Sequence, residues 1–382
     1  MASASGGSPM TATAGRDDAP PDVPLNDLSR QLRESRDALI ATVTRVVDSG
    51  WLVQGPEHAA FEAELGAYLG VEHAIGVASG TDALELALRA AVPADRPVVL
   101  TAANCGGYTT TAARRAGFTV RYADVDDATH LLTPETVSAA LDERIGVVVV
   151  THLYGRCADV GAIRASCAPL GIAVLEDCAQ ALGAALPQGR VGSLADIAAF
   201  SFYPTKNLGA LGDAGAVATA SAPLAETVRK LRQYGWSGKY RIDLDGGRNS
   251  RMDEVQAAVL RERLTSLDAW NERRRSVVAR YRAAASPRVQ VLPAEGMGHA
   301  AHLAVVVVDD RPALVAHLAS LGIRTDVHYP VPDHQQPALR VEYGDVSLPT
   351  TERLAASVPS LPLFPQLTDL ELDRVCGALE SY

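Results

Sequence analysis

Long apolar runs are missing from this chain. None approaches the ~20 residues that a membrane-crossing helix requires, and the longest, such as Gly146 to Val150 and Ala304 to Val308, are strand-sized. No basic stretch followed by an apolar one opens the sequence. Its first residues, MASASGGSPMTATAGRDDAPPD, are rich in Ala, Ser, Gly and Pro and read as a disordered tail rather than an export signal. Cysteine is scarce: Cys105, Cys157, Cys167, Cys178 and Cys376 stand far apart with no Cys-x-x-Cys pair. That pattern suggests neither a zinc knuckle nor a redox pair, and no metal site is expected; the thiols read as buried or half-buried groups in a reducing cytoplasm. A basic surplus is lacking too. With 35 basic and 45 acidic residues the net charge is −10, which argues against nucleic acid or an anionic membrane as partner and leaves room for a local pocket that holds one small anion.

What remains is an ordinary globular composition, 47% hydrophobic and 21% charged over 382 residues, enough chain for a large core. Leu25 to Ser49 has helical spacing, and Glu57 to Leu69 is a second helix. From there short apolar stretches alternate with helices. The expected strands are Ala74 to Ala78, Pro97 to Leu100, Thr119 to Ala123, Gly146 to His152, Ile172 to Glu176, Ile197 to Phe202 and Gly215 to Thr219. Strands this apolar, alternating with helices, predict an α/β fold with a mainly parallel central sheet flanked by helices. The alternation stops near Ala220. Glu254 to Ala285 reads as long helix broken near Trp270-Asn271, followed by an α+β segment and a closing helix, Asp369 to Glu380. No internal repeat is found. The organisation read from this is a disordered tail (1–23), a large domain (24–262) and a smaller C-terminal α+β domain (263–382).

Four stretches carry chemistry. In Ala78-Ser79-Gly80-Thr81-Asp82, a strand ends in a small-residue turn that opens a helix. Free N–H groups there suit a phosphate, although the same residues also make a plain helix cap. Val174-Leu175-Glu176-Asp177 runs a buried strand into two acids at its C-terminal end, the ligand side of open α/β sheets. In Phe200-Ser201-Phe202-Tyr203-Pro204-Thr205-Lys206, a strand ends beside a lysine. A desolvated amine there has a lowered pKa and can form a Schiff base with a carbonyl. Gly246 to Glu254 is a flexible loop bearing Arg248, Asn249 and Arg251, able to reach an anion across a subunit boundary or simply to lead into a helix. An amine for an aldehyde, a cradle for a phosphate and a carboxylate for a ring nitrogen converge on one cofactor, pyridoxal 5′-phosphate (PLP).

From Leu25 onward the chain resembles the DegT-type nucleotide-sugar aminotransferases, a branch of the fold-type-I, aspartate-aminotransferase-like PLP enzymes. The resemblance rests on Ser49-Gly50-Trp51, Ser79-Gly80-Thr81-Asp82-Ala83, His152-Leu153-Tyr154-Gly155, Glu176-Asp177-Cys178-Ala179-Gln180, the Lys206 stretch, Asn249-Ser250-Arg251-Met252 and Val327-His328-Tyr329-Pro330. It implies that Lys206 binds the cofactor aldehyde and moves protons, and that Asp177 pairs with the pyridine nitrogen. It further implies that Gln180 contacts the ring hydroxyl and that Gly80, Thr81 and Ser201 hold the phosphate. Asn249 would reach that phosphate from the neighbouring subunit of a homodimer with shared active sites, and His328 would lie on the substrate side. In many relatives an aromatic residue stacks on the pyridine face from the position that aligns with Gly106; here Tyr108 is the nearest candidate. Lys239, Arg248 and Arg251 are candidate partners for a nucleotide diphosphate.

The expected activity is transfer of an amino group from L-glutamate to a keto group, at C4 or C3, of a nucleotide-linked deoxyhexose, with thymidine the family's commonest nucleotide, in amino-sugar biosynthesis for a secondary metabolite or a cell-surface glycan. Three alternatives stand beside it. One is amination of a keto-cyclitol. Another is a PLP-dependent sugar dehydratase, against which Lys206 speaks because histidine replaces the lysine there. The third is a non-catalytic sugar sensor on the same fold.

Overall fold

The computed structural model describes residues 21–382. Its centre is a sheet of seven strands: β1 (His73–Val77), β2 (Val98–Ala102), β3 (Thr119–Ala123), β4 (Ile145–Thr151), β5 (Ala173–Asp177), β6 (Ile197–Ser201) and β7 (Gly215–Thr219). They lie in the order β1-β7-β6-β5-β4-β2-β3. Only β7 runs against its neighbours, so the expected α/β architecture with a mainly parallel sheet is present. All seven residues of β4 are buried, and its pleat sends them alternately to two cores. Val147 and Val149 join Leu84, Ala112 and Val228 on one face, while Val148 and Val150 join Val137 and Ile163 on the other. Helices therefore cover both faces, which is why the strand carries no polar alternation.

Register sets the functional edge. Thr151 lies opposite Asp177, Asp177 opposite Ala199, Ser201 opposite Gly215, and Gly215 opposite Val77. The C-terminal ends of β4, β5, β6 and β1 thus meet along one rim, with the start of β7 between the last two.

Several local expectations are corrected. Residues 1–20 of the expected disordered tail lie outside the described residues. Val23, assigned to that tail, is fully buried and pairs with Ile323 in a C-terminal core containing Val277, Leu314, Phe364 and Leu379. The single helix expected over Leu25 to Ser49 is two, Leu28–Glu34 and Arg36–Ser49. A further helix, Ala222–Leu231, follows β7 where the alternation was read as ending. The long helical stretch breaks at Thr265-Ser266 rather than at Trp270-Asn271. The Thr265 hydroxyl bonds back to the Glu262 carbonyl and competes with the helix backbone there. The Asn271 side chain instead finds partners on other elements and leaves its own backbone helical.

Candidate active site

The rim opens into a chamber of about 500 Å³ lined by Gly80, Thr81, Tyr108, Asp177, Gln180, Ser201 and Lys206, together with His302, His328 and Tyr329. Eight of the sequence-predicted residues are thereby gathered in one cavity, although they come from five separate stretches of chain.

At one end is an anion cradle. Ser79 caps the helix Gly80–Ala91, its hydroxyl accepting from the Asp82 N–H at 3.1 Å. The first-turn N–H groups of Gly80 and Thr81 have no intrahelical partner, and the helix dipole adds to their pull on negative charge. The Ser201 hydroxyl at the end of β6 faces the same space. A Cβ on Gly80 would stand 2.5 Å from the Ser201 Cβ and 2.8 Å from its Oγ, so this close approach exists only with glycine at position 80. Gly215 permits the matching approach on the other side, where a Cβ would collide with the Ser79 carbonyl. Gly80→Ala is expected to weaken cofactor affinity at least about tenfold, a loss of ~1.4 kcal/mol, with the fold retained. Cofactor titration followed by absorbance checks this.

Across the chamber, Asp177 is 5% exposed. Its Oδ1 accepts from the Ala179 N–H at 3.1 Å, but its Oδ2 has only the Thr151 hydroxyl at 3.4 Å. Burial raises its pKa; the Ala179 N–H, Lys206, His152 and Thr151 oppose that shift. It is a buried carboxylate short of partners, the condition in which a cationic N–H facing it is most strongly bound. Burial also lowers the pKa of Lys206, with Asp177 acting in the other direction. Amine and acid are thus both desolvated, each partly offset by the other.

Behind Asp177, His152 and Glu176 make a closed buried pair. The His152 Nδ1 accepts from the Ala158 N–H, so Nε2 carries the hydrogen and donates to Glu176 at 3.0 Å. Glu176 also accepts from the N–H groups of Gly192, Leu194 and Ala195, each at 2.9 Å. With Cys178 these residues are close enough together to hold a metal ion. Glu176 is already saturated with donors, however, and burial raises the Cys178 pKa well above its usual value and keeps the thiol protonated. The cluster braces the strand end that presents Asp177.

The aromatic wall differs from expectation. Tyr108 lines the chamber but is half exposed, edge-on to Tyr329 with ring centroids 6.1 Å apart. The ring lying on Gly106 is Tyr329: a Cβ at position 106 would stand 2.8–3.0 Å from three of its carbons. No side chain fits at position 106 because Tyr329 fills that space. Gln180 accepts from the Tyr154 N–H at 2.6 Å and donates to the Tyr329 hydroxyl at 3.1 Å, so its amide holds this wall in place. Asp333 anchors the segment, its N–H donating to the Ala103 carbonyl and its carboxylate accepting from Thr110; burial lifts its pKa to about 6. His328 lines the chamber with Nδ1 2.9 Å from the Ser360 hydroxyl, and burial lowers its pKa. Tyr329 was visible in the His-Tyr-Pro motif but not assigned a place. Thr151 and His302 carry no sequence signal of their own.

Four predicted residues lie outside this chamber. Arg248 pairs with Asp82 at 3.0 Å and with the fully buried Glu85, and its expected role as a diphosphate partner is corrected to that of a clamp. Together with Ser250, which donates to Asp82 at 2.8 Å, it ties the loop to the first turn of the cradle helix. Between these anchors Asn249 is exposed and accepts from Arg251 Nε at 2.8 Å. Lys239 is exposed on a short hairpin, its ammonium 5.1 Å from the Tyr240 ring centre. Arg248→Ala leaves Glu85 buried with only Arg89 and Arg115 for compensation. Because those two arginines remain, it is expected to destabilise the fold by only about 1.5 kcal/mol with little change in KM for the sugar, checked by denaturant unfolding beside steady-state kinetics.

A family model described as the DegT/DnrJ/EryC1/StrS aminotransferase family matches residues 33–380. The chain is 40% identical over 368 residues to "Erythromycin biosynthesis sensory transduction protein EryC1" of Saccharopolyspora erythraea, spanning 94% of this chain and 99% of that one. It is 40% identical over 372 residues to a dTDP-3-amino-3,4,6-trideoxy-alpha-D-glucose transaminase of Streptomyces venezuelae, spanning 95% and 96%. The crystal structure of S. venezuelae DesV in complex with a ketimine intermediate superimposes with a TM-score of 0.91 at 40% identity, covering 95% of this chain and 98% of that one.

Proposed function

From the premise that the chain belongs to the DegT/DnrJ/EryC1/StrS aminotransferase family, whose members are PLP-dependent sugar aminotransferases, we propose that it moves an amino group from L-glutamate to the C3 keto group of a dTDP-linked keto-deoxyhexose. The observation that carries this reading is the chamber itself, with a desolvated lysine and a partner-poor aspartate facing one cavity that ends in an anion cradle. The name of the S. venezuelae relative supports the thymidine nucleotide and the amine at C3, and that of the S. erythraea relative supports a place in antibiotic biosynthesis.

In this reading Gly80, Thr81 and Ser201 would hold the cofactor phosphate, Asp177 would keep the ring nitrogen protonated, Gln180 would reach the ring hydroxyl, and Tyr108 and Tyr329 would line the ring's side of the chamber. The cofactor supplies an aldehyde that bonds an amine and a cationic ring that draws electrons from the carbon next to that nitrogen. Lys206, as the free amine, would take the donor's α-proton on Nζ. In the second half it returns a proton to the sugar carbon. His328 lies on the substrate side. The nucleotide, remote from the reacting carbon, contributes binding energy that orients it, with Lys239 and Arg251 available at the surface.

A homodimer completes the site in this reading. Trp51, Leu52, Tyr203, Leu211, Tyr240 and Ile242 are exposed apolar residues. The segments of Trp51, Leu52 and Leu211 lie next to the Asn249 loop and the helix that follows it: Val53 bridges to Asp253, the Leu211 N–H bonds Gln256, and Gln233 bridges to Asn249. Such a patch suits a second copy, which would bring its Asn249 to the cradle. All five cysteines are free thiols, in keeping with the cytoplasm. No helix among the described residues is long and apolar enough to cross a membrane.

The test is incubation with PLP, L-glutamate and a panel of dTDP- and UDP-linked 3- and 4-ketohexoses, with products read by mass and NMR. An amine at C3 of the dTDP sugar is expected. Amination only at C4, or only of UDP sugars, overturns the substrate assignment and leaves the cofactor assignment standing.

A further inference from the structure

Three residues beyond β4, Tyr154 stands in the left-handed region of backbone space, at φ 63° and ψ 1°. A bulky side chain rarely adopts that conformation unless the contacts around it hold it there. Three such contacts are present. The Tyr154 N–H donates to Gln180 Oε1 at 2.6 Å. Its carbonyl accepts from the N–H groups of His302 and Leu303 at 3.0 and 3.3 Å. Its hydroxyl lies 3.0 Å from the His328 carbonyl, and because a carbonyl only accepts, the hydroxyl is the donor. Tyr154 is buried, and burial raises its pKa, so the proton of this bond stays in place at neutral pH.

Two of these bonds govern the chamber wall. An N–H needs an acceptor, so Gln180 is held with its oxygen toward Tyr154 and its NH2 toward the chamber, where it meets the Tyr329 hydroxyl at 3.1 Å. His328 is tied at two points: its ring Nδ1 lies 2.9 Å from the Ser360 hydroxyl, and its carbonyl rests on Tyr154. Among the described residues the Tyr154 hydroxyl is the one donor to that carbonyl. Packing alone does not call for the oxygen. A phenylalanine would fill the same place in the apolar core beside Leu153 and edge-on to His130.

We propose that Tyr154 is a positioning residue for the acceptor sugar, its hydroxyl fixing the His328 carbonyl and thereby the wall that His328 and Tyr329 present to the chamber. Ser360 alone leaves His328 free to turn about its own side chain, whereas a second attachment at the backbone sets the direction of the ring. The two ligands make different demands on that wall. An amino donor brings one short carbon chain to Lys206, but a sugar ring must present one of several carbons, so the sugar is the ligand that needs a fixed surface.

The inference rests on the reading that His328 faces the substrate, and its test has one arm that does not depend on activity. Tyr154→Phe keeps the ring and all the backbone bonds and removes only the bond to His328. In the full chain, amide hydrogen exchange read by peptide mass spectrometry is expected to quicken about fivefold over Asp326 to Val331. Exchange over Ala300 to Val305 should stay as in wild type, since His302 and Leu303 bond the Tyr154 carbonyl. In kinetics, KM for the dTDP-linked 3-keto sugar is expected to rise about fivefold, with the half-reaction of L-glutamate, followed by absorbance, little changed. In a His328→Ala background the same substitution should add almost nothing. Unchanged exchange over Asp326 to Val331 would overturn the proposal. Faster exchange throughout the chain with both half-reactions impaired would leave a merely structural tyrosine and overturn it too, as would an undiminished effect in the His328→Ala background. Failure of the wild-type chain to aminate any keto sugar would instead remove the underlying reading of His328, with the exchange result at the wall still standing.

Discussion

Lys206→Ala is expected to lower turnover by at least about a thousandfold while the chain still retains the cofactor. The two effects separate because they have different origins. On the proposed reading, covalent attachment and both proton transfers would depend on one amine, and alanine supplies neither. Retention would depend mainly on Gly80, Thr81 and Ser201, which are positioned by helix and strand ends that alanine at 206 does not touch. Steady-state assays, absorbance after gel filtration and borohydride trapping read the three properties independently. Turnover within tenfold of wild type would remove the lysine from the chemistry.

The second large effect is expected at Asp177. Asparagine keeps the shape of the side chain but cannot hold a positive charge on the ring nitrogen, and a loss of about a hundredfold to a thousandfold in kcat is expected. Stability without cofactor should move the other way. The carboxyl's folded pKa is raised, chiefly by burial, so the ionised form is a liability that the unfolded chain does not carry. For an acid with a raised folded pKa, stability is present below the unfolded value of 3.8 and is lost as pH rises through the folded value. Asp177→Asn is therefore expected to unfold at a higher temperature than wild type at neutral pH in the cofactor-free state. That advantage should fade as pH falls toward 3.8. Thermal scans at several pH values, with and without cofactor, check the sign. A neutral-pH Tm below that of wild type without cofactor would mean that Asp177 is a structural anchor.

Element bounds are legible in this chain where the physics is local. Thr119–Ala123, Gly215–Thr219 and Asp369–Glu380 have the bounds that their apolar spacing and flanking residues suggest. The helix Ala222–Leu231 was passed over although Ser221 caps it and Pro223 sits in its first turn. Its buried side chains, Ala225, Val228 and Leu231, are too few to stand out from the polar residues around them. Arg248 looked like an anion ligand because its neighbours Gly246, Gly247 and Asn249 suggest an open loop. The two carboxylates that engage it, Asp82 and Glu85, come from a helix far away in sequence, and nothing near residue 248 announces them.

Residue types and their order along the chain were enough to predict the alternating α/β plan and to single out a lysine, an aspartate and a glycine turn that the fold brings to one chamber. Each of these is a property of a short segment: which face a strand buries, where a helix begins, which side chain can carry an amine. Folding alone decided that Tyr329 lies on Gly106 and that Arg248 is engaged by Asp82 and Glu85. Those outcomes depend on contacts between groups far apart along the chain, and a hydrogen bond or a collision exists only once both partners have a place in space.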